Sequence, residues 1–233
     1  MLASKIAHYG PEHTSVASAH RDAGRVLAAQ KNFSGAEAHY SASVSLCAKL
    51  LGENHPNTAC ALTDLAAVLR EQEQWEAAES YARRAVASLR EGVGKDDVST
   101  ATALYNLAGL AKRQSKWGEA EAAYAEALRI FRTKLGDGVG ETGDTFYQMG
   151  CLYRKRLDVA AARTFFTQAA EAYSKCYGPS DKRVLESVKR AKMMGDKLQT
   201  AAGGAAAPAA TGGTPAAAGQ RIATSALGQP KAK

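Results

Sequence analysis

The sequence predicts an all-α fold, a solenoid of four 42-residue helical hairpins followed by a C-terminal capping helix. The first observation is that the segment beginning at Trp75, WEAAESYARRA, returns 42 residues later at Trp117 as WGEAEAAYAEA. The second is that five glycines stand at the same interval, each after an apolar residue: Gly10, Gly52, Gly94, Gly136 and Gly178. A fixed period of this length is typical of repeat architectures.

Each 42-residue unit contains two helical patterns. In the second unit, apolar residues recur at helical spacing from Leu62 to Leu69 and again from Trp75 to Leu89. The short polar segment EQEQ between them predicts that the two helices form an antiparallel hairpin. One hairpin leaves apolar surface uncovered, and a neighbouring hairpin of the same shape can bury it. The pattern therefore predicts a stack.

Residues separated by multiples of 42 are called equivalent positions below. Small residues fill one equivalent position on the first helix of each hairpin: Gly24, Ala66, Ala108 and Gly150. They also fill one on the second helix: Ala36, Ala78, Ala120 and Ala162. Small side chains at these positions would let the paired helices approach closely. A bulky position is predicted to pack in the core: Phe33, Trp75, Trp117 and Val159. His13 and His55 share a position at a helix start, which predicts capping or loop packing.

The repeat divides the chain into predicted parts. Residues 1–9 match only the end of a second helix, and residues 198–233 form an Ala/Gly/Pro-rich basic tail that we expect to be flexible. Between them lies the repeat domain, 10–197, divided into units 10–51, 52–93, 94–135 and 136–177 and the capping helix 178–197.

Composition and motifs disfavour several classes of protein. Hydrophobic residues make up 45% of the chain and charged residues 23%, as in soluble globular proteins. No secretory signal and no apolar stretch of about 18 residues is present, so we expect a cytoplasmic protein without membrane insertion. The four cysteines include no CxxC pair, so neither a metal site nor a disulfide framework is expected. A net charge of +7 alone does not predict nucleic-acid binding.

One motif resembles a cofactor fingerprint. Residues 138–143, GVGETG, match GxGxxG, but a dinucleotide site needs a preceding strand, and AEALRIFRTKL before it is a helical pattern. We therefore predict an inter-repeat loop and no cofactor. The chain has no HExxH, nucleophile elbow or Walker loop, so we expect no catalytic residues and no enzyme activity.

The stretch from Gly52 to Val86, GENHPNTACALTDLAAVLREQEQWEAAESYARRAV, resembles the tetratricopeptide repeat, and its 42-residue variety resembles the repeats of kinesin light chains. The resemblance covers residues 10 to about 197. It departs at His20, where Leu62 is the equivalent residue, and at Arg163, where Glu79 is. It implies that the first helix of each hairpin lines a concave groove.

The resemblance, carried over by equivalent position, implies a peptide-binding groove lined by Arg21, Arg25, Asp64, Arg70, Tyr105, Asn106, Lys112, Arg113, Tyr147, Gln148, Arg154, Lys155, Lys189 and Arg190. With Asp22, Glu71, Asp144 and Glu186, the charged groove positions comprise nine basic and five acidic residues. Basic density grows toward the C-terminal half. Such a groove suits an extended peptide with acidic residues and an aromatic anchor.

Two functions follow from this pattern. The first is a scaffold or adaptor without catalysis, which binds an acidic or aromatic-acidic segment of a protein partner in the basic groove. The second is a structural component of a large cytoskeletal assembly, associated with microtubules or with the axoneme of a cilium or flagellum. In that assembly the solenoid would lie against an acidic subunit surface, and neighbouring subunits would order the tail.

Overall fold

The structure is a computed structural model that describes residues 2–204 of the chain. In that range it contains α-helices and no strand, which confirms the predicted all-α class. The helices are α1 (Leu2–Tyr9), α2 (Thr14–Ala29), α3 (Phe33–Leu51), α4 (Pro56–Glu71), α5 (Trp75–Gly92), α6 (Val98–Arg113), α7 (Trp117–Lys134), α8 (Gly140–Lys155), α9 (Val159–Tyr177) and α10 (Lys182–Gly204). None of these helices is long and apolar enough to cross a membrane.

The helices stack in chain order as pairs. Helix α2 packs against α3, α4 against α5, α6 against α7 and α8 against α9, while α1 precedes the first pair and α10 packs on α9. We call α2, α4, α6, α8 and α10 the first helices and α3, α5, α7 and α9 the second helices. The first helices begin 42 residues apart, at Thr14, Pro56, Val98, Gly140 and Lys182. The division into domains and units made from the sequence remains a prediction.

The connections between helices repeat as strictly as the helices do. The five glycines that revealed the period all have positive φ, from 79° at Gly10 to 106° at Gly94. Glycine adopts this conformation without the penalty that a Cβ brings, which explains its recurrence. The turns inside the pairs also contain one left-handed residue each, and none of these is glycine: Lys31, Glu73, Ser115 and Leu157. No residue type at these positions signals the conformation in the sequence.

Leu157 offers a test of this turn, because it has φ 65° and its side chain is 83% exposed. We expect Leu157→Asn to raise the free energy of unfolding by about 1 kcal/mol, since asparagine tolerates the left-handed region and leucine does not. Thermal unfolding monitored by circular dichroism would measure the change. Leu157→Ala is the control, since it removes the apolar side chain and keeps the backbone strain. Equal stabilisation by both variants would contradict the expectation.

The predicted capping role of the two histidines is confirmed. Nδ1 of His13 accepts a hydrogen bond from the Ser15 backbone N–H at 3.1 Å, and Nδ1 of His55 accepts one from Asn57 at the same distance. At the equivalent position Asp97 caps α6 by the same kind of bond, from Ser99 at 2.7 Å. A side chain that satisfies one of the free N–H groups stabilises the start of a helix.

The small residues of the first helices make room for large residues of the second. A Cβ added to Gly24 would lie 2.9 Å from the Tyr40 ring, and one added to Gly150 would lie 2.8 Å from the Phe166 ring. This agrees with the prediction that a larger side chain would hold the paired helices apart. The equivalent of these two rings in the second pair is Ala82, which lines a cavity of about 50 Å³.

The bulky position predicted to lie in the core lies at its edge. Phe33, Trp75, Trp117 and Val159 are the first residues of the four second helices, and all are only partly buried against the core clusters. The reason is their place at the helix start, next to the turn, where the side chain is not surrounded by packed residues on all sides. The fully buried large side chains lie further along the second helices, as at Tyr124 and Phe166.

The last helix is longer than the capping helix predicted for residues 178–197. Helix α10 begins at Lys182 and continues to Gly204, so residues 198–204 belong to it and not to the tail. The reason is that Gln199, Thr200 and two alanines can extend the helix until glycine, a poor helix former, follows. The remainder of the predicted flexible tail, residues 205–233, lies outside the described residues.

Two histidines stand between α2 and α3 where other pairs have apolar side chains. Nδ1 of His20 lies 3.0 Å from Nδ1 of His39. The equivalents of His20 are Leu62, Leu104 and Phe146, all of them buried core residues. Burial, and to a lesser degree His39, lowers the pKa of His20 below its ordinary value of 6.5. The first pair therefore contains a polar, part-buried and acid-sensitive contact between its helices.

We expect His20→Leu to raise stability and to reduce its loss in acid. When a base has a lowered pKa in the folded state, the unfolded chain binds more protons as the pH falls below about 6.5, so acid favours unfolding. Chemical unfolding of the wild type and the variant at about pH 7.5 and about pH 5.5 would measure this. The gap between the two proteins should widen at the lower pH. A gap that does not depend on pH would contradict the proposed cause.

Candidate functional site

Side chains from successive first helices meet along one side of the stack, which we call the first-helix face. Nε of Arg21 on α2 donates to Oδ2 of Asp64 on α4 at 2.6 Å. Nζ of Lys112 on α6 donates to the amide oxygen of Gln148 on α8. The guanidinium of Arg190 on α10 lies 5.2 Å from the ring centroid of Tyr147. Residues predicted from the sequence as groove-lining are thus brought together across helix boundaries.

The N-terminal half of this face neutralises its own charges. Besides the bond between Arg21 and Asp64, Nη1 of Arg25 lies 3.9 Å from a carboxylate oxygen of Asp22. Arg70 donates to Glu71 at 2.8 Å. The cations on α2 and α4 are therefore already paired within the chain.

The acidic residues of the C-terminal half also have partners. The Tyr173 hydroxyl donates to Oδ1 of Asp144 at 2.6 Å, and Nε of Arg190 donates to Glu186 at 2.7 Å. Every acidic residue in the predicted groove set is thus engaged in a contact within the chain. Asn106, the remaining polar member on α6, lines the 50 Å³ cavity together with Arg70.

Four predicted cations are exposed and have no acidic partner within residues 2–204. They are Arg113, Arg154, Lys155 and Lys189. Arg113 lies apart from the other three, because its guanidinium is 5.8 Å from the ring centroid of Trp75, at the start of α5. We call the other three, on α8 and α10, the unpaired cations.

Lys112 differs from these residues because it is half-buried. Its ammonium lies 5.7 Å from the ring centroid of Tyr124 and donates to Gln148. Burial lowers the pKa of Lys112. Replacing it with an acidic residue would bury a carboxylate beside an aromatic ring, so this position cannot serve as a simple surface-charge test.

The two predicted tyrosines are parts of aromatic pairs. Tyr105 meets Tyr124 edge-on with centroids 5.6 Å apart, and Tyr147 meets Phe166 in the same way at 5.5 Å. Burial raises the pKa of Tyr105 to about 12. Such pairs hold both rings in place, so these tyrosines offer preformed edges and not mobile side chains.

A cleft of about 510 Å³ opens on the first-helix face between α8 and α10. Its lining includes the predicted Tyr147 and Gln148 and the missed residues Tyr173, Lys182 and Arg183. Tyr173 occupies a second-helix position equivalent to Leu89 and Phe131, which are buried. The repeat pattern therefore predicts a core residue there and not a residue of the site. Arg183 is held by Asp181 at 3.0 Å and lies over the Tyr177 ring. Lys182, the first residue of α10, is exposed.

The GxGxxG segment is preceded by helix α7 and not by a strand, as expected, but only its first residues form a loop. Helix α8 begins at Gly140, so Gly140 and Gly143 are helical. A Cβ on Gly143 would lie 2.7 Å from the Tyr173 ring, and Gly140 lies against the Tyr177 hydroxyl. These glycines admit tyrosines of α9. Across residues 2–204, no three His, Cys, Asp or Glu side chains converge as a metal site would require.

Comparison with known proteins agrees with this geometry. A family model described as tetratricopeptide repeat matches residues 15–91 and 99–175. No sequence among the curated proteins matches the chain. The two matched segments cover most of the residues of helices α2 to α9.

Several solved structures share the fold at low sequence identity. BtubC (BKLC) from P. vanneervenii superposes with a TM-score of 0.67 at 17% identity, covering 97% of this chain and 93% of that one. A putative kinesin light chain with nearly identical TPR-like repeats from Podosopora anserina gives 0.70 at 18%, covering 82% and 92%. A Rap protein complexed with competence and sporulation factor gives 0.59 at 17%, covering 80% of this chain and 50% of that one.

Proposed function

The chain belongs to the tetratricopeptide repeat family, and from this premise we propose that it binds an acidic segment of a protein partner along the C-terminal half of its first-helix face. Repeats of this family serve as scaffolds for protein–protein interaction, and the fold is typically non-catalytic. One observation carries the proposal. All acidic residues of the predicted set are engaged within the chain, whereas Arg154, Lys155 and Lys189 are exposed without an acidic partner in residues 2–204.

The electrostatic argument concerns which charges a partner can use. A cation already paired within the chain must lose that partner before it can bind another carboxylate, so Arg21, Arg25 and Arg70 contribute little. An exposed unpaired cation loses only water. Complementary charge raises the association rate and selects acidic partners, even where each pair adds little affinity.

The cleft between α8 and α10 adds a place for an aromatic or apolar anchor. Tyr147 and Tyr173 form part of its lining, and both are fixed, the first against Phe166 and the second by its bond to Asp144. Lys182 at the same cleft supplies a further positive charge, and the other charged lining residues, Asp144, Arg183 and Glu186, are already engaged within the chain. The arrangement fits a segment with one aromatic residue flanked by acidic ones. One fold relative, a Rap protein, has been solved in complex with competence and sporulation factor.

A selection from a random peptide library against the full chain tests the proposal. We expect the bound peptides to be enriched in Asp and Glu and to contain an aromatic residue. Against the selected peptide, Arg154→Glu combined with Lys189→Glu should weaken binding at least tenfold, because two attractive contacts become repulsive. Affinity is measured by fluorescence anisotropy, and thermal unfolding should be nearly unchanged because both side chains are exposed.

The matched control is Lys95→Glu combined with Lys134→Glu, which makes the same change in net charge near the inter-pair loops. This control should reduce affinity by less than the first pair of changes. Equal loss in both variants would mean that only net charge matters. Enrichment of neutral or basic peptides would overturn the proposal.

A second candidate function, a structural part of a cytoskeletal assembly, would use the same cations against an acidic subunit surface. A relative in fold, a putative kinesin light chain, motivates it. Co-sedimentation of the full chain with microtubules tests this alternative. Because this function uses the same cations, Arg154→Glu with Lys189→Glu should abolish co-sedimentation. A wild-type chain that binds the selected peptide but does not co-sediment with microtubules would exclude the alternative.

A further inference from the structure

A second surface lies at the C-terminal end of the stack. Helices α9 and α10 border a cleft of about 770 Å³. Its walls include Ala170 and Ser174 of α9 and Val188, Ala191 and Gly195 of α10. The charged residues of the lining are Arg163, Lys175, Lys192, Glu171 and Asp196. Helix α10 is a first helix by position, and no second helix pairs with it in residues 2–204.

Within the stack the same groove occurs in a completed form, for example between α5 and α6. Helices α5 and α6 carry the equivalent walls, and there α7 closes the cleft to about 390 Å³. The closing residues of α7 are Glu119, Ala122, Ala123 and Glu126. Small residues in the middle let the helices approach, and a glutamate stands at each end. The end groove is therefore shaped to accept a helix in the position of α7.

Exposed apolar side chains mark the missing neighbour. Val188 is 52% exposed, whereas its equivalents Leu104 and Phe146 are buried. Leu185 and Met193 on the same helix are also exposed. Covering these side chains removes apolar surface from water, which favours docking of an amphipathic helix.

A charge reversal at this end indicates the chemistry of the occupant. Within the stack, Arg83 donates to both Glu79 and Glu119, so these two carboxylates lie within reach of one guanidinium. In the last pair the equivalent of Glu79 is Arg163, whose guanidinium lies against Gly195 of α10 at the groove. Arg163 is exposed and has no ion-pair partner within residues 2–204. If a helix docked in the groove as α7 does within the stack, its residue equivalent to Glu119 would lie close to Arg163, and a glutamate there could pair with the guanidinium.

We propose that the groove between α9 and α10 docks an amphipathic helix of a partner protein that carries a stripe of alanines and an acidic residue directed at Arg163. This surface is distinct from the first-helix face. Its occupant is a helix that continues the stack, whereas the unpaired cations would bind an extended acidic segment.

A synthetic peptide of residues 117–134, the sequence of α7, is the probe, since α7 fills the equivalent groove within the chain. We expect the labelled peptide to bind the full chain saturably in fluorescence anisotropy and to gain helicity. Val188→Glu should abolish binding, because a carboxylate would face the apolar side of the helix. Arg154→Glu, on α8 and outside the lining of this groove, should leave it unchanged, which separates this surface from the proposed function.

A charge exchange tests the role of Arg163. Arg163→Glu should weaken binding of the natural peptide about fivefold, and a peptide with Glu119→Arg should bind this variant better than it binds the wild type. Absence of saturable binding, or binding insensitive to both changes, would overturn the proposal. Self-association of the full chain that Val188→Glu abolishes would also overturn it, because a second copy would then be the occupant.

Discussion

Replacing Phe166 with alanine is expected to lower the free energy of unfolding by about 3–5 kcal/mol, the cost of removing a large buried aromatic side chain and leaving a cavity. Phe166 is fully buried on α9, where it meets Tyr147 of α8 edge-on and belongs to one core cluster with Met194 of α10. Its ring therefore joins three helices. In a solenoid each unit contacts only its neighbours, so the C-terminal helices should unfold first. Denaturant unfolding and amide hydrogen exchange would measure both effects.

The neighbouring glycine makes this prediction specific to the geometry. Gly150→Ala alone should destabilise by about 1–3 kcal/mol, because the new Cβ would lie 2.8 Å from the Phe166 ring. In the Phe166→Ala background the same change should stabilise by about 1 kcal/mol, since alanine is the better helix former and the ring is gone. The sign of one substitution thus depends on the other. Additive effects would show that the ring does not rest on Gly150.

The period in the sequence was sufficient to predict where the helices lie. Each second helix begins at the predicted bulky position, and each inter-pair connection contains a glycine of the predicted set with positive φ. These features depend on local sequence and on stacking, and both repeat every 42 residues. The end of α10 was predicted too early. The alanines and the threonine at 200–202 are compatible both with a helix and with a flexible tail when glycines follow them.

The state of each charged side chain could not be predicted in the same way. Arg21 and Arg154 both stand on first helices and look alike in the sequence, yet only Arg21 meets a carboxylate, that of Asp64 on the next first helix. Lys112 likewise reads as a surface cation but is half-buried beside Tyr124. Such outcomes depend on which side chain stands opposite, and repeated positions here carry different residues. The resemblance placed the candidate site, and the structure divided it into paired and unpaired charges.

The groove at the C-terminal end of the stack follows from a property of the junctions between pairs. Inside the chain, neighbouring pairs satisfy each other through carboxylates at the position of Glu79: Gln72 donates to Glu37, and Arg156 donates to Glu121. At the last pair this position becomes Arg163, and no further pair follows in the described residues. The junction that is closed elsewhere is therefore open and reversed in charge there. The first-helix face differs because it is exposed along the whole stack.

The junction carboxylate can be tested directly at Glu79, where it has the most partners. Glu79 is only 6% exposed and accepts hydrogen bonds from Arg83, Gln114 and Lys116. We expect Glu79→Gln to lower the free energy of unfolding by about 2 kcal/mol near neutral pH, since hydrogen bonds to a charged group are lost and an amide cannot accept from all three donors. Glu37→Gln is the matched control at the equivalent position. Glu37 accepts from the neutral Gln72 at 2.9 Å, so its loss should be smaller.

The pH dependence separates a charged junction from one that is merely polar. Burial alone would raise the pKa of Glu79, but the bonds from Lys116, Arg83 and Gln114 outweigh it and lower the pKa below its ordinary value of 4.5. A carboxylate with a lowered pKa stabilises the folded state above its unfolded pKa and loses that contribution as the pH falls through the folded value. The difference in unfolding free energy between wild type and Glu79→Gln should therefore shrink below about pH 4.5. A constant difference would mean that shape, not charge, holds α5 to the turn between α6 and α7.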